Sequence, residues 1–205
     1  MGAYMKGDLL PKVKALYEAV LELIGENVDI RDVKVSDITK RAGIGKGTAY
    51  EYFSNKEEII GSALLYHIDV ICGQMMDSLA KIEKFYDMFD YLLLCMDMEI
   101  AKRDCLIQFI QLMIDNGPVS RLLQKKIKEN DAGIRKPEDV LEQVLQAGIR
   151  QGEIKARMPM FYMNMVVMSK ILVYAIYLTS GEKEGKPDGQ QMHRLLYEGL
   201  LKELG

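Results

Sequence analysis

The sequence predicts an all-α protein. Apolar residues recur at helical spacing through most of the 205 residues, Pro and Gly fall between those stretches, and no alternating strand pattern of useful length appears. The stretch from Val35 to Lys56, VSDITKRAGIGKGTAYEYFSNK, reads as two short helices joined by a glycine turn. It divides the chain into a three-helix head over residues 1–56 and a helical body over 57–205.

The first helix is set by Val13, Leu16, Tyr17, Val20, Leu23 and Ile24, an i, i+3, i+4, i+7 stripe ended by Gly25 and Asn27. Ser36 is placed to cap the next helix, which runs to about Ala42 with Ile38 and Ala42 as its apolar positions. Gly43 stops it in the left-handed conformation, and Ile44 plugs the angle between the two helices. The following helix runs from Lys46 to Phe53, a span of roughly 12 Å at about 1.5 Å per residue, comparable to the width of a DNA major groove. Ser54 with Glu57 three residues on matches a capping box. A connector helix then runs from Glu57 to about Lys81, with Ile60, Ala63, Leu64, His67, Ile71 and Met75 on one side.

Residue types in the Lys46–Phe53 helix point to DNA reading. Lys46 and Thr48 are placed to reach base edges, and Gly47 lets a backbone approach closely. The phenols of Tyr50 and Tyr52 suit phosphate oxygens, Lys56 adds a phosphate contact, and Ser36 stands at the start of the preceding helix. Overall charge is -3 and the isoelectric point about 5.6. Between Lys34 and Lys56, however, five Lys/Arg face two acids, and DNA binding requires a local patch rather than a basic whole. GIGKGT is not a phosphate-cradling P-loop, because that motif needs a Gly five residues before Gly-Lys-Ser/Thr and a strand in front.

These residues resemble the tetracycline-repressor (TetR) family of bacterial regulators. Ile38, Ala42-Gly43-Ile44, Gly47-Thr48, Tyr50, Phe53, Lys56-Glu57 and Ile60 carry the resemblance, over roughly the first third of the chain. It implies a homodimer whose heads bind a palindromic operator in double-stranded DNA, with a body that binds a small effector and dimerises. It also implies DNA-contact roles for Lys46, Gly47, Thr48, Tyr50, Tyr52 and Lys56. Gly45 departs from the family in standing where a Ser-like cap is common, and Glu51 sets a negative charge near the DNA. No arginine lies in the recognition helix, so the commonest guanine contact is missing.

In the body, helices are expected over Phe85–Ala101, Asp104–Ile114 and Val119–Lys128, with a break at Asn116-Gly117-Pro118. Pro137, Glu138 and Asp139 form a strong helix start, carried on by Val140, Leu141, Val144, Leu145 and Ile149. Pro159 opens the next helix, to about Thr179. A loop over Ser180–Gly189 leads to a last helix of Met192, Leu195, Leu196, Gly199 and Leu200. The last two helices are more apolar than one helix pair needs, which reads as half of a four-helix dimer interface. Asn164 and Lys170 interrupt the apolar run from Phe161 to Leu178, arguing against a membrane span.

Fourteen methionines suit a pocket for apolar molecules as well as a core. Phe85, Phe89, Phe109, Met113, Met163 and Tyr174 are the ligand-binding candidates, and the expected effector is largely hydrophobic. Cys72, Cys95 and Cys105 show no CxxC spacing, in keeping with buried thiols in a reducing cytoplasm, and MGAYMKGDLL is too polar for a signal peptide. His67 and His193 lie far apart with no triad or metal-ligand spacing, so neither catalytic residues nor a metal or cofactor is expected. Two other readings remain: a ligand-independent regulator, and a small-molecule binding protein with a vestigial head.

Overall fold

A computed structural model describes residues 9–26, 28–102, 117–129, 133–181 and 183–205. The described residues form α-helices and connecting turns with no strand. The helices are α1 (Pro11–Gly25), α2 (Val35–Arg41), α3 (Lys46–Tyr52), α4 (Lys56–Leu79), α5 (Phe85–Lys102), α6 (Pro118–Glu129), α7 (Pro137–Arg150), α8 (Met160–Thr179) and α9 (Gly189–Leu204). Contacts divide the chain into two compact units, residues 1–71 with 102–135 and residues 72–101 with 136–205. Helix α4 contributes to both.

In the first unit, α1 packs on α2 and α3 through the stripe that its sequence shows. Tyr17 is the hub, with its ring 6.0 Å from Phe53 and 5.6 Å from Tyr66. Ile38, Ala49, Phe53, Ile59 and Ile60 are buried around it. Helix α6 docks on α4 at Gly61, where a Cβ would lie 2.5 Å from Leu122 Cδ2. Beyond α6, Asp69 of α4 accepts the Arg135 backbone N–H at 2.9 Å and its Nε at 2.9 Å.

The second unit is built around Tyr197 of α9, whose ring lies 5.7 Å from Phe85 and 5.8 Å from Phe89. At Gly148 of α7 a Cβ would meet the Phe85 ring at 2.9 Å, so close packing requires glycine there. Gln151 joins α7 to the start of α5, accepting the Phe85 N–H at 3.0 Å and donating to the Glu83 carbonyl at 2.8 Å. Cys72 and Cys95 are buried thiols, and Cys105 lies outside the described residues.

Several helix starts differ from the sequence expectation. Lys34, not Ser36, is the N-cap of α2, and the Asp37 carboxylate reaches back to the Lys34 N–H at 2.9 Å. A carboxylate at the third helical position is a stronger acceptor than a hydroxyl, and Lys136 and Asp139 repeat the arrangement at α7. At α4, Asn55 rather than Ser54 accepts the Glu58 N–H, at 2.8 Å, and Glu58 accepts the Ser54 N–H at 2.7 Å. Pro118 is the first residue of α6 and not part of a break, since a missing N–H is harmless there. The expected Asp104–Ile114 helix lies outside the described residues.

Two helices among the described residues, α4 and α8, are long and apolar enough to cross a membrane. The most apolar window of α4 is 61% buried within the chain and that of α8 22%. Phe161, Tyr162, Met165, Leu172, Val173 and Ile176 are exposed on α8. At 100° per residue they fall within about a third of the helix circumference, a single apolar stripe.

Candidate nucleic-acid interface

The turn between α2 and α3 is built by the backbone. Gly43 has φ +68°, the Ile44 N–H donates to the Thr39 carbonyl at 3.0 Å and the Gly43 N–H to that of Lys40 at 3.3 Å. Those two bonds make a Schellman ending, which fixes the direction of the chain into α3. Gly45 then caps α3 in extended conformation with no side-chain bond, as its lack of a side chain dictates.

Helix α3 ends at Tyr52, one residue before the expected end, because Phe53 is extended and buried beneath Tyr17. Ala49 and Phe53 anchor the inner face. The outward face carries Lys46, Gly47, Tyr50 and Glu51, all exposed, while Thr48 and Tyr52 are half-buried on the flank. Thus Lys46, Gly47 and Tyr50 share a face, and Thr48 and Tyr52 lie beside it. Among the described residues nothing outside its own helix lies within 4 Å of a Cβ added at Gly47, and its backbone needs no positive φ. The fold itself has no use for a glycine there.

Beside α3 lies an open depression of about 590 Å³. Arg31, Lys34, Ser36, Lys46, Tyr50 and Lys56 line it, together with Asp32, Val33 and Val35. Lys56 Nζ donates to the Arg31 carbonyl at 2.9 Å, tying the loop before α2 to the start of α4. Ser36, relieved of capping by Asp37, lines the same depression. Arg31 grips Asp29 through Nε at 2.9 Å and Nη2 at 2.6 Å, and these bonds hold the Asp29 carboxyl down at about 2.

Arg41 departs from the basic patch expected over Lys34–Lys56. Its guanidinium forks onto Glu26 of the α1 C-cap, at 2.6 and 2.8 Å, and reaches Glu22 at 3.4 Å. The hydrogen bonds with Arg41 lower the Glu26 carboxyl and raise the guanidinium. Arg41 therefore ties α2 to α1. Arg31, just upstream of Lys34, lines the depression but is itself paired with Asp29, so Lys34, Lys46 and Lys56 carry the basic character there.

Of the ligand-binding candidates, Phe85, Phe89, Met163 and Tyr174 are buried in the second unit. Phe85 and Phe89 share Tyr197, while Tyr174 donates its hydroxyl to Asp97 at 2.8 Å. Phe109 and Met113 lie outside the described residues. No group of three or more His, Cys, Asp or Glu among the described residues is arranged to hold a metal.

An all-helical chain with a Schellman-turned pair of helices and an outward basic face is a helix-turn-helix regulator of transcription. Its particular kind is indicated by residues 16–63, which match the family described as bacterial regulatory proteins, tetR family. An uncharacterized HTH-type transcriptional regulator of Bacillus subtilis (strain 168) is 32% identical over 66 residues, covering 32% of this chain and only 16% of that protein's length. The fatty acid metabolism regulator protein of the same organism is 28% identical over 145 residues, covering 71% of this chain and 72% of the relative. The fold is shared with the transcriptional regulator FadR from Bacillus subtilis in complex with stearoyl-CoA, at TM-score 0.64 and 18% identity, over 95% of this chain and 98% of that one. These relatives are regulators, not enzymes.

Proposed function

We propose that the protein is a cytoplasmic, homodimeric repressor that leaves a palindromic operator when a small, largely hydrophobic effector binds its body. The head, residues 1–56, reads DNA with Lys46, Gly47, Thr48 and Tyr50, and Ser36, Tyr52 and Lys56 contact its backbone. Residues 57–205 hold the effector and the dimer contact. The observation that carries this reading is the outward face of α3 opening onto a depression lined by Arg31, Lys34, Lys46 and Lys56. Such a cluster suits phosphate oxygens at the edge of a groove.

The apolar stripe of α8, with Phe161 at 78% and Ile176 at 67% exposure, supports a second copy as its cover. Two-fold symmetry would then present two α3 helices to half-sites about 34 to 36 Å apart, or a multiple of that. Long-chain acyl groups are the effector class favoured by the relatives, one a fatty acid metabolism regulator and one bound to stearoyl-CoA. Release requires that the effector favour the DNA-incompetent state, typically by about 1–3 kcal/mol of coupling.

The test is a gel shift on DNA upstream of the protein's own gene, with and without stearoyl-CoA, beside a Thr48→Ala, Tyr50→Ala double variant. Retarded wild-type DNA, released by the acyl-CoA, with little retardation by the variant, is the expected result. Equal binding by the double variant would overturn the assignment of the reader.

A further inference from the structure

The second unit contains a buried histidine whose hydrogen bonding is half complete. His193 on α9 is 7% exposed, and its Nδ1 lies 2.6 Å from Asp90 Oδ1 on α5. The other ring nitrogen, Nε2, is shielded and meets no hydrogen-bond partner among the described residues. Tyr174 stands edge-on to the imidazole with ring centroids 4.7 Å apart, and its own hydroxyl is committed to Asp97. A core histidine serving packing alone is expected to have both nitrogens satisfied, because a buried polar atom without a partner is unfavourable. One helical turn further along α9, Tyr197 joins the apolar cluster of Phe85 and Phe89.

We propose that His193 Nε2 is the polar anchor of the effector site, and that it takes an apolar chain ending in a carbonyl or carboxyl group. This rests on the effector-responsive reading above and assigns a residue to it. Asp90 is the positioning residue: by accepting from Nδ1–H it orients the ring and leaves Nε2 for the ligand. A neutral ring accepts a hydrogen bond from a carboxylic acid. A protonated ring donates to a carboxylate or a thioester carbonyl, so a carboxyl group satisfies Nε2 in both states. The remaining partners of such a chain would be apolar side chains of the same unit, which supply affinity without direction.

The chain has two histidines, so long-range proton–nitrogen spectra of the full-length protein contain two imidazoles, and His193→Gln identifies the second. Stearoyl-CoA and stearate are added separately. The expected result is displacement of the His193 Nε2 resonance by at least one of them, and which one does so identifies a thioester or a free acid as the source. His193→Phe should weaken that binding by about tenfold or more, the scale of one buried hydrogen bond. Binding of either ligand with Nε2 unmoved and His193→Phe unaffected overturns the anchor while leaving the effector reading intact. If neither ligand binds wild-type protein that still retards operator DNA, both the acyl effector class and its anchor fall and the DNA reader stands.

Discussion

Two glycines mark a difference between the two units of this molecule. Gly148, inside the second unit, is pressed against Phe85 so closely that a Cβ would sit 2.9 Å from the ring. Gly47, on the outward face of α3, has open space around it and an ordinary backbone. One glycine is explained by the protein's own packing, whereas the other is not. The same contrast runs through their neighbours: Phe85, Phe89 and Tyr197 satisfy one another, while Lys46 and Tyr50 face outward beside a basic depression.

The largest expected effect lies on the packed side. Phe85→Ala removes a fully buried ring, and chemical denaturation should show a loss of about 3–5 kcal/mol. On the outward side, replacing Lys34, Lys46 and Lys56 together by Ala should cost no more stability than the single hydrogen bond of Lys56 to the Arg31 carbonyl, about 0.5–1.5 kcal/mol. It should reduce the slope of log affinity against log salt by about 2–3, since each phosphate contact contributes about 0.9. Gly148→Ala gains helix propensity but overfills the contact with Phe85. Overpacking typically costs about 1–3 kcal/mol against about 0.5–1 gained, so a net loss near 1 kcal/mol is expected in the same assay.

A pH dependence touches both units. Burial raises the Tyr17 hydroxyl from 10.0 to about 12, and burial also raises those of Tyr174 and Tyr197. Folding therefore favours the protonated phenols. The stability they contribute is intact below pH 10 and declines from there to about pH 12, as unfolded tyrosines ionise first. Denaturation midpoints followed through that window should fall, and Tyr17→Phe should flatten the fall.

Much of the head was legible because its signals are local. Gly43, Ile44 and the Ala49–Phe53 pair declare a turn and an inner face within a few residues of one another. The caps were misread where two candidate acceptors compete within one turn: Asp37 outbids Ser36, and Asn55 outbids Ser54, through carboxylate and amide geometry that a hydroxyl pattern does not encode. The places of Arg31 and Arg41 were set by tertiary contacts. The loop of Arg31 is drawn to Lys56, and Arg41 is drawn to Glu26 on α1, contacts across 25 and 15 residues of sequence. The His193–Asp90 pair was not legible because its two residues lie 103 apart in sequence.

The most direct test of an outward face kept for DNA is Gly47→Ala, with operator affinity measured by fluorescence anisotropy on protein whose folding stability has been determined. Stability should be unchanged or higher by up to about 1 kcal/mol, because alanine is the better helix former, while affinity for the DNA falls at least about tenfold from the lost close approach. Undiminished affinity in a stably folded Gly47→Ala protein would contradict the assignment of this face to DNA.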